Sequence, residues 1–235
     1  MTDLFPAHLP SGATIGILGG GQLGRMLSVA AARLGFLTHI FEPGAEPPAG
    51  HVAHRVTTAS YDDAAALRAF AESVDVVTYE FENIPTEALD LVEQIRPIHP
   101  NRRALAISQD RILEKTFLND IGLATAPWAE VRDAASLDQA LAQVGTPSVL
   151  KTTRLGYDGK GQARIMAPAD AAAAFAAMQG ATAVLEGFID FSCEVSVIAA
   201  RGLDGSVACF DPGQNVHRDG ILHTTTVPAD IPAML

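Results

Sequence analysis

TIGILGGGQLGRMLSVAAARLG, residues Thr14 to Gly35, decides how the first part of this chain folds. Thr14 to Leu18 is a short β-rich run that Gly19-Gly20-Gly21 interrupts. From Gln22 to Leu34 the apolar residues Leu23, Met26, Leu27, Ala30, Ala31 and Leu34 recur at the spacing of one helix face. Gly35 supplies a helix stop. Strand, glycine turn and helix together open a βαβ unit.

The pattern repeats downstream. Leu37 to Phe41 reads as the next strand and Arg55 to Thr58 as a third. Ser60 with Asp62 caps a helix running to about Ser73. Val74 to Tyr79 reads as a buried strand, Pro85 to Ile95 as a helix, and Ile98-His99-Pro100 closes the unit. Alternating strands and helices predict a doubly wound parallel α/β sheet over residues 1–100. Residues 101–125 read as a helical connector ending near Gly122, after which Pro127 starts an extended stretch. A smaller α+β unit fills 126–189, with strands at Ser148–Thr152, Gln162–Met166 and Ala183–Phe188 and an alanine-rich helix at Ala169–Met178. Residues 190–235 turn to antiparallel texture, with Glu194–Ala200 and Val207–Phe210 joined by Leu203-Asp204-Gly205-Ser206 and a polar segment ending in Thr224-Thr225-Thr226. Pro228 to Leu235 buries little and reads as the interior of a domain that continues.

Composition narrows the function classes. Sixteen Lys and Arg stand against 27 Asp and Glu, a formal net charge of -11, which disfavours nucleic acid and anionic membrane as partners. Hydrophobic residues make up 48% of the chain, yet every apolar run is broken by ionisable residues, Gly or Pro before it reaches the length of a membrane span. The first twelve residues lack the basic start and apolar middle of a secretory signal and read as a disordered lead-in. The expected setting is cytoplasmic. Cys193 and Cys209 fit neither a CxxC metal pair nor a disulfide scaffold, and read as small buried apolar residues in a reducing compartment.

Two glycine-rich segments carry the chemistry. Gly19, Gly21 and Gly24 form G-x-G-x-x-G, with Gln22 inside it and Glu42 ending the next strand where a ribose-binding acid would sit. A dinucleotide, a phosphate-bearing substrate or a purely structural turn would each use that geometry. The second segment, Lys151 to Gln162 (KTTRLGYDGKGQ), places an ammonium at a strand end before a loop containing Gly156, Gly159 and Gly161. Such a loop can fold over a triphosphate with its backbone donors, although it is no Walker motif. Val184 to Ile189 then opens from a strand into a hinge whose backbone can read an adenine edge, and Glu194 stands where an acid can take ribose hydroxyls.

Gly19 to Arg25, Thr78-Tyr79-Glu80-Phe81-Glu82-Asn83, Asp110-Arg111, Thr125 to Trp128, Gly156 to Gln162 and Asn215 to Ile221 occur in one order. In that combination the chain resembles the 5-(carboxyamino)imidazole ribonucleotide synthases, ligases of the ATP-grasp superfamily, from about Thr14 to Val227. The resemblance implies ATP-dependent joining of bicarbonate to the amine of 5-aminoimidazole ribonucleotide through carboxyphosphate, in purine biosynthesis. It also implies an ATP-grasp fold and a homodimer.

Residue by residue, the resemblance assigns Arg111, Lys151 and the loop Gly156, Tyr157, Asp158, Gly159, Lys160, Gly161 and Gln162 to the ATP phosphates. It assigns Glu186, Gly187, Phe188 and Ile189 to the adenine, Glu194 to the ribose and His217 to a place beside the nucleotide. Glu80, Tyr157, Asp158 and Lys160 fall near the aminoimidazole ribonucleotide and bicarbonate. Lys160 departs from members that carry arginine, keeping the charge without the planar grip. The Mg²⁺ carboxylates of the family are expected beyond Leu235, so no metal ligand is named. Competing expectations are another ATP-grasp ligase of purine biosynthesis, a nucleotide-binding fragment without turnover, and a nicotinamide-dependent oxidoreductase built on the first glycine loop.

Overall fold

The computed structural model describes residues 9–156, 160–218 and 221–231. The chain forms two compact units, divided between Leu113 and Glu114. The lead-in expected at residues 1–12 lies partly outside the described residues, and its end is tied down. Gly12 N–H donates to Gly35 O and Ala13 N–H to Pro10 O.

The first unit is built on a parallel sheet of β1 (Thr14–Leu18), β2 (Leu37–Glu42), β3 (Arg55–Thr58) and β4 (Val76–Tyr79), in the order β3-β2-β1-β4. Its helices are α1 (Gln22–Arg33), α2 (Ala64–Glu72), α3 (Thr86–Glu93) and α4 (Arg102–Ser108). Period-two alternation gives each strand one side chain to either face. Leu18 and Phe41 join Leu67, Phe70, Val77, Leu89 and Val92 in the larger cluster, while Ile17 and Ile40 meet Ala49 in a smaller one. Asp63, one residue beyond the expected cap, accepts from Ala65 N–H and Ala66 N–H at the start of α2.

Helix α1 sits differently from its sequence reading. Its buried residues are Gly24, Ser28 and Ala31, whereas Leu23, Met26, Leu27 and Leu34 are exposed. Small side chains allow the close approach, and the larger ones are turned outward.

One polar group deep in this unit has its protonation pattern set by its neighbours. His39 on β2 is 1% exposed, with Nδ1 2.8 Å from Ser73 Oγ and Nε2 2.8 Å from Thr57 Oγ1. Ser73 Oγ donates its hydrogen to Phe70 O, so it accepts from Nδ1–H, and Nε2 accepts from the Thr57 hydroxyl. A neutral imidazole satisfies both hydroxyls. Burial first, then the charges of Arg55 and His54, lower its pKa from 6.5 to about 4.

The second unit begins within α5 (Arg111–Asp120). Its antiparallel sheet joins β5 (Trp128–Val131), β6 (Ser148–Thr152), β7 (Gln162–Ile165) and β8 (Ala183–Gly187) in the order β5-β8-β6-β7. Leu150, Ile165, Ala183 and Leu185 pack with Leu137 and Ala140 of α6 (Ala134–Val144) and Ala171 and Ala174 of α7 (Ala171–Ala177). Helix α6 lies in a stretch that the sequence reading left without an element. A capping box of Asp133 and Ser136 starts it and Gly145, at φ +82°, ends it.

Beyond it, the strand expected over Glu194–Ala200 is broken into β9 (Glu194–Ser196) and β10 (Ala199–Arg201). β10 pairs with β11 (Val207–Cys209), and β12 (Gly213–Arg218) lies between β9 and β13 (Ile221–Thr226). All these pairings are antiparallel. The cysteines are not the buried residues expected: Cys209, on the exposed strand β11, is exposed and Cys193 is half-buried. No helix among the described residues is long and apolar enough to cross a membrane.

Candidate functional site

In the first unit the sheet order itself assembles a cleft. β1 lies between β2 and β4, so Glu42 at the end of β2 and Glu80 just after β4 flank the turn Gly19-Gly20-Gly21. Gly21 is the N-cap of α1 and has no side chain to satisfy the helix's first N–H groups. Glu80 supplies that function from elsewhere in the chain. Its Oε1 accepts from Gly21 N–H at 2.5 Å, its Oε2 accepts from Gly24 N–H, and Glu42 Oε2 accepts from Gly20 N–H at 2.8 Å.

The glycines are needed for this seating. Gly19 has φ +99°, and a Cβ there would overlap Glu80 Cγ; a Cβ on Gly21 would lie 2.6 Å from Glu80 Oε1. Thus the donors expected to receive a substrate phosphate or a dinucleotide pyrophosphate hold the chain's own carboxylates. The adjoining cleft, about 340 Å³, is lined by Glu42, Glu46, Glu80 and Phe81 among others. Burial raises the Tyr61 phenol, and the charges of Glu42 and Glu80 push it further up. Gln22 is exposed at the first position of α1.

In the second unit Lys151 stands on β6 opposite Gln162 of β7 and Val184 of β8. Thr152 N–H donates to Gly161 O at 2.8 Å and closes the glycine-rich loop. Gly161 holds φ +66°, where an added Cβ would meet Thr152 Oγ1 at 2.6 Å. Gly156 and Lys160 are the described residues nearest the loop tip, while Tyr157, Asp158 and Gly159 lie outside the described residues.

Glu186, expected at the adenine, directs its carboxylate to lysines. Oε2 lies 2.8 Å from Lys151 Nζ and Oε1 3.3 Å from Lys115 Nζ, with Glu186 itself 9% exposed. Burial pushes its carboxyl up, but the hydrogen bond and charge of Lys151 and the charge of Lys115 outweigh this and hold it below the usual carboxylate range. Lys115 was missed because it belongs to no glycine motif. Its signal is its position four residues after Arg111, on the same side of α5. Arg111 opens α5 after Asp110, whose Oδ1 accepts from Ile112 N–H and Leu113 N–H. In the hinge, Gly187 N–H donates to Pro127 O and Phe188 N–H to Pro147 O, while Ile189 makes no backbone hydrogen bond among the described residues. The Arg164 guanidinium lies 6.0 Å from the Phe188 ring centroid.

Pairing of β9 with β12 brings Glu194 opposite Asn215. Glu194 Oε1 then lies 3.4 Å from His217 Nδ1 and accepts from Asn215 Nδ2 at 3.3 Å, while Thr225 Oγ1 donates to Asn215 Oδ1. The structure therefore joins Lys151 with Glu186 and Glu194 with His217.

Comparison with known proteins follows the same division. The family model for the ribonucleotide synthetase preATP-grasp domain matches residues 12–109, and that for the ATP-grasp domain matches residues 116–235. An N5-carboxyaminoimidazole ribonucleotide synthase of Brucella melitensis is 54% identical over 225 residues, covering 95% of this chain and 62% of that protein. The N5-carboxyaminoimidazole synthetase of Staphylococcus aureus, solved complexed with ADP, superposes with a TM-score of 0.92 at 37% identity, covering 96% of this chain and 61% of that one. The Aspergillus clavatus N5-carboxyaminoimidazole synthase, solved with ADP and 5-aminoimidazole ribonucleotide, gives a TM-score of 0.85 at 27% identity, covering 95% of this chain and 59% of that one. The chain spans about 60% of the length of these relatives.

Proposed function

The chain belongs to the ATP-grasp family, and from that membership we propose that it carries the ATP-handling part of an N5-carboxyaminoimidazole ribonucleotide synthase. The reaction joins bicarbonate to the amine of 5-aminoimidazole ribonucleotide, with ATP split to ADP and phosphate through carboxyphosphate. The observation that carries this reading is that Lys115 and Lys151, the latter on the strand leading into the glycine-rich loop, meet at the single carboxylate of Glu186. Two ammonium groups facing one buried carboxylate leave positive charge to offer a polyphosphate. The relatives solved with ADP and with 5-aminoimidazole ribonucleotide support the choice of ligands.

On this reading Lys151 and Arg111 hold ATP phosphates, and the loop Gly156 to Gln162 covers them. The segment Glu186 to Ile189 reads the adenine through its backbone, with Ile189 the hinge residue whose backbone groups are uncommitted among the described residues. Glu194 takes the ribose hydroxyls and His217 orients that carboxylate. Phosphoryl transfer to bicarbonate needs phosphate charge neutralised and water kept from a labile mixed anhydride, which a glycine-rich cover provides. Glu80, Tyr157, Asp158 and Lys160 are the residues this reading assigns to the aminoimidazole ribonucleotide and bicarbonate. The reading includes Mg²⁺ as the ion that accompanies ATP, while among the described residues no three His, Cys, Asp or Glu side chains gather into a metal ligand set. The reading includes a homodimer in the cytoplasm, and sedimentation equilibrium checks the oligomeric state.

The test is ADP release from MgATP in the presence of bicarbonate, with 5-aminoimidazole ribonucleotide added or withheld. Stimulation by the ribonucleotide is expected. ADP binding without stimulated turnover would reduce the chain to a nucleotide-binding piece, and absence of ADP binding would remove the reading. Replacement of Lys151 by Met is expected to weaken ADP binding by on the order of tenfold or more.

A further inference from the structure

Lys115 adds a second cation to a carboxylate that Lys151 alone would neutralise. The side chains of Lys115, Lys151 and Glu186 are 13%, 27% and 11% exposed, so water screens this cluster only partly. Two unit positive charges against one negative leave a surplus of one, and both carboxylate oxygens of Glu186 are already engaged. A surplus charge held this far from solvent is costly unless an anion completes it. Without Lys115, Glu186 and Lys151 would form a neutral one-to-one pair that offers a phosphate no net charge. With it, Glu186 is shared and Lys151 keeps part of its charge for a ligand.

We infer that Lys115 is a specificity-determining residue that makes binding at this cluster depend on the number of phosphates in the ligand, with Glu186 as the internal counter-ion that a polyphosphate supplements. The inference rests on the nucleotide reading of Lys151 and adds to it a residue outside the glycine-rich motifs. Lys115 acts here through charge. Arginine at the same place should therefore serve nearly as well as lysine, and a neutral side chain of similar length should not.

Isothermal titration calorimetry on the whole chain, with adenosine, AMP, ADP and inorganic tripolyphosphate as probes, tests this. For Lys115→Met the dissociation constants for ADP and tripolyphosphate are expected to rise by on the order of tenfold, the AMP constant by less and the adenosine constant not at all. Lys115→Arg should restore ADP binding, and Glu186→Gln, which raises the surplus, should tighten tripolyphosphate binding. If Lys115→Met does not fold, the Glu186→Gln arm decides alone, because weaker or unchanged tripolyphosphate binding overturns the inference. Equal loss for all four probes, or a folded Lys115→Arg as weak as Lys115→Met, would reduce Lys115 to packing and leave the nucleotide reading intact. Tripolyphosphate bound in a Lys115-dependent way with ADP no tighter than adenosine would keep the cluster and sink the nucleotide reading. Wild-type protein that binds neither would overturn both.

Discussion

Glu80 and Glu186 are each held in place by groups distant in the chain, and the two seats are built from opposite materials. Glu80 rests on the backbone N–H groups of Gly21 and Gly24 at the start of α1, beside a second acid, Glu42, seated on Gly20. Glu186 rests between the ammonium groups of Lys115 and Lys151. Neutral donors leave the first cleft acidic, whereas two cations leave the second cluster with positive charge. Two glycine-rich segments of one chain thus stand beside charge of opposite sign, acidic at the first and basic at the second.

Acid should separate the two regions most widely. His39, in the first unit, has a folded pKa of about 4 against 6.5 unfolded, so between those values the unfolded chain binds the extra proton. Stability from this group is complete above 6.5 and falls as pH drops towards 4. The loss is about 3 kcal/mol, at roughly 1.4 kcal/mol for each unit separating the two pKa values. Glu186 has its folded pKa below 4.5, so its contribution is present above that value and is lost only as pH falls further, through the folded pKa. Denaturant titrations between pH 6.5 and 5 should show hydrogen-exchange protection of β1, β2 and β4 falling while Trp128 fluorescence, from the single tryptophan and in the second unit, keeps its midpoint. Equal shifts in both probes would break the contrast.

Glu80→Gln sharpens it from the other side. The amide keeps one oxygen for one N–H and sets an NH₂ group against the other, so a partly buried donor loses its acceptor. A loss of about 2 kcal/mol is expected in equilibrium unfolding, with faster amide exchange at Gly21 and Gly24. Unchanged exchange at these two glycines would show that solvent, rather than Glu80, satisfies them.

The sequence disclosed the parts of this architecture that depend on local punctuation. Thr14–Leu18, the glycine turn and the helix after it are all marked by residues in immediate succession, and the same holds for the β6–β7 hairpin around Gly156 and Gly161. Which face of α1 is buried was not readable from periodicity, because Gly24, Ser28 and Ala31 are chosen for close approach rather than hydrophobicity. Helix α6 carries a local signal in Asp133, Ser136, Leu137, Leu141 and Val144, but a weaker one than the strand at Ser148–Thr152 beside it. The seating of Glu80 depends on strand order, and the meeting of Lys115 with Glu186 joins positions 71 residues apart in the chain. Residues far apart in sequence give no local trace of such meetings, and Lys115 became visible only once α5 and β8 were placed.

Asp133 offers the smallest and most controlled comparison with Glu80. Its Oδ1 accepts from Ser136 N–H at 2.8 Å at the start of α6, while Ser136 Oγ accepts from Asp133 N–H at 2.9 Å. This is again a carboxylate on backbone donors at a helix N-terminus, but here it is exposed and local. Hydrogen bonds from Ser136, backbone and side chain, hold its carboxyl below the usual range. Water can replace what Asp133 provides, so Asp133→Ala should cost only about 1 kcal/mol, within the span measured for helix caps. The same donor chemistry at Glu80, where the bonds are partly buried, is expected to cost about twice as much. If Asp133→Ala proves as damaging as Glu80→Gln in thermal unfolding, burial is not what gives the Glu80 seat its strength. The glycine turn would then have to be explained by its backbone geometry, through the positive φ of Gly19, rather than by the carboxylate it holds.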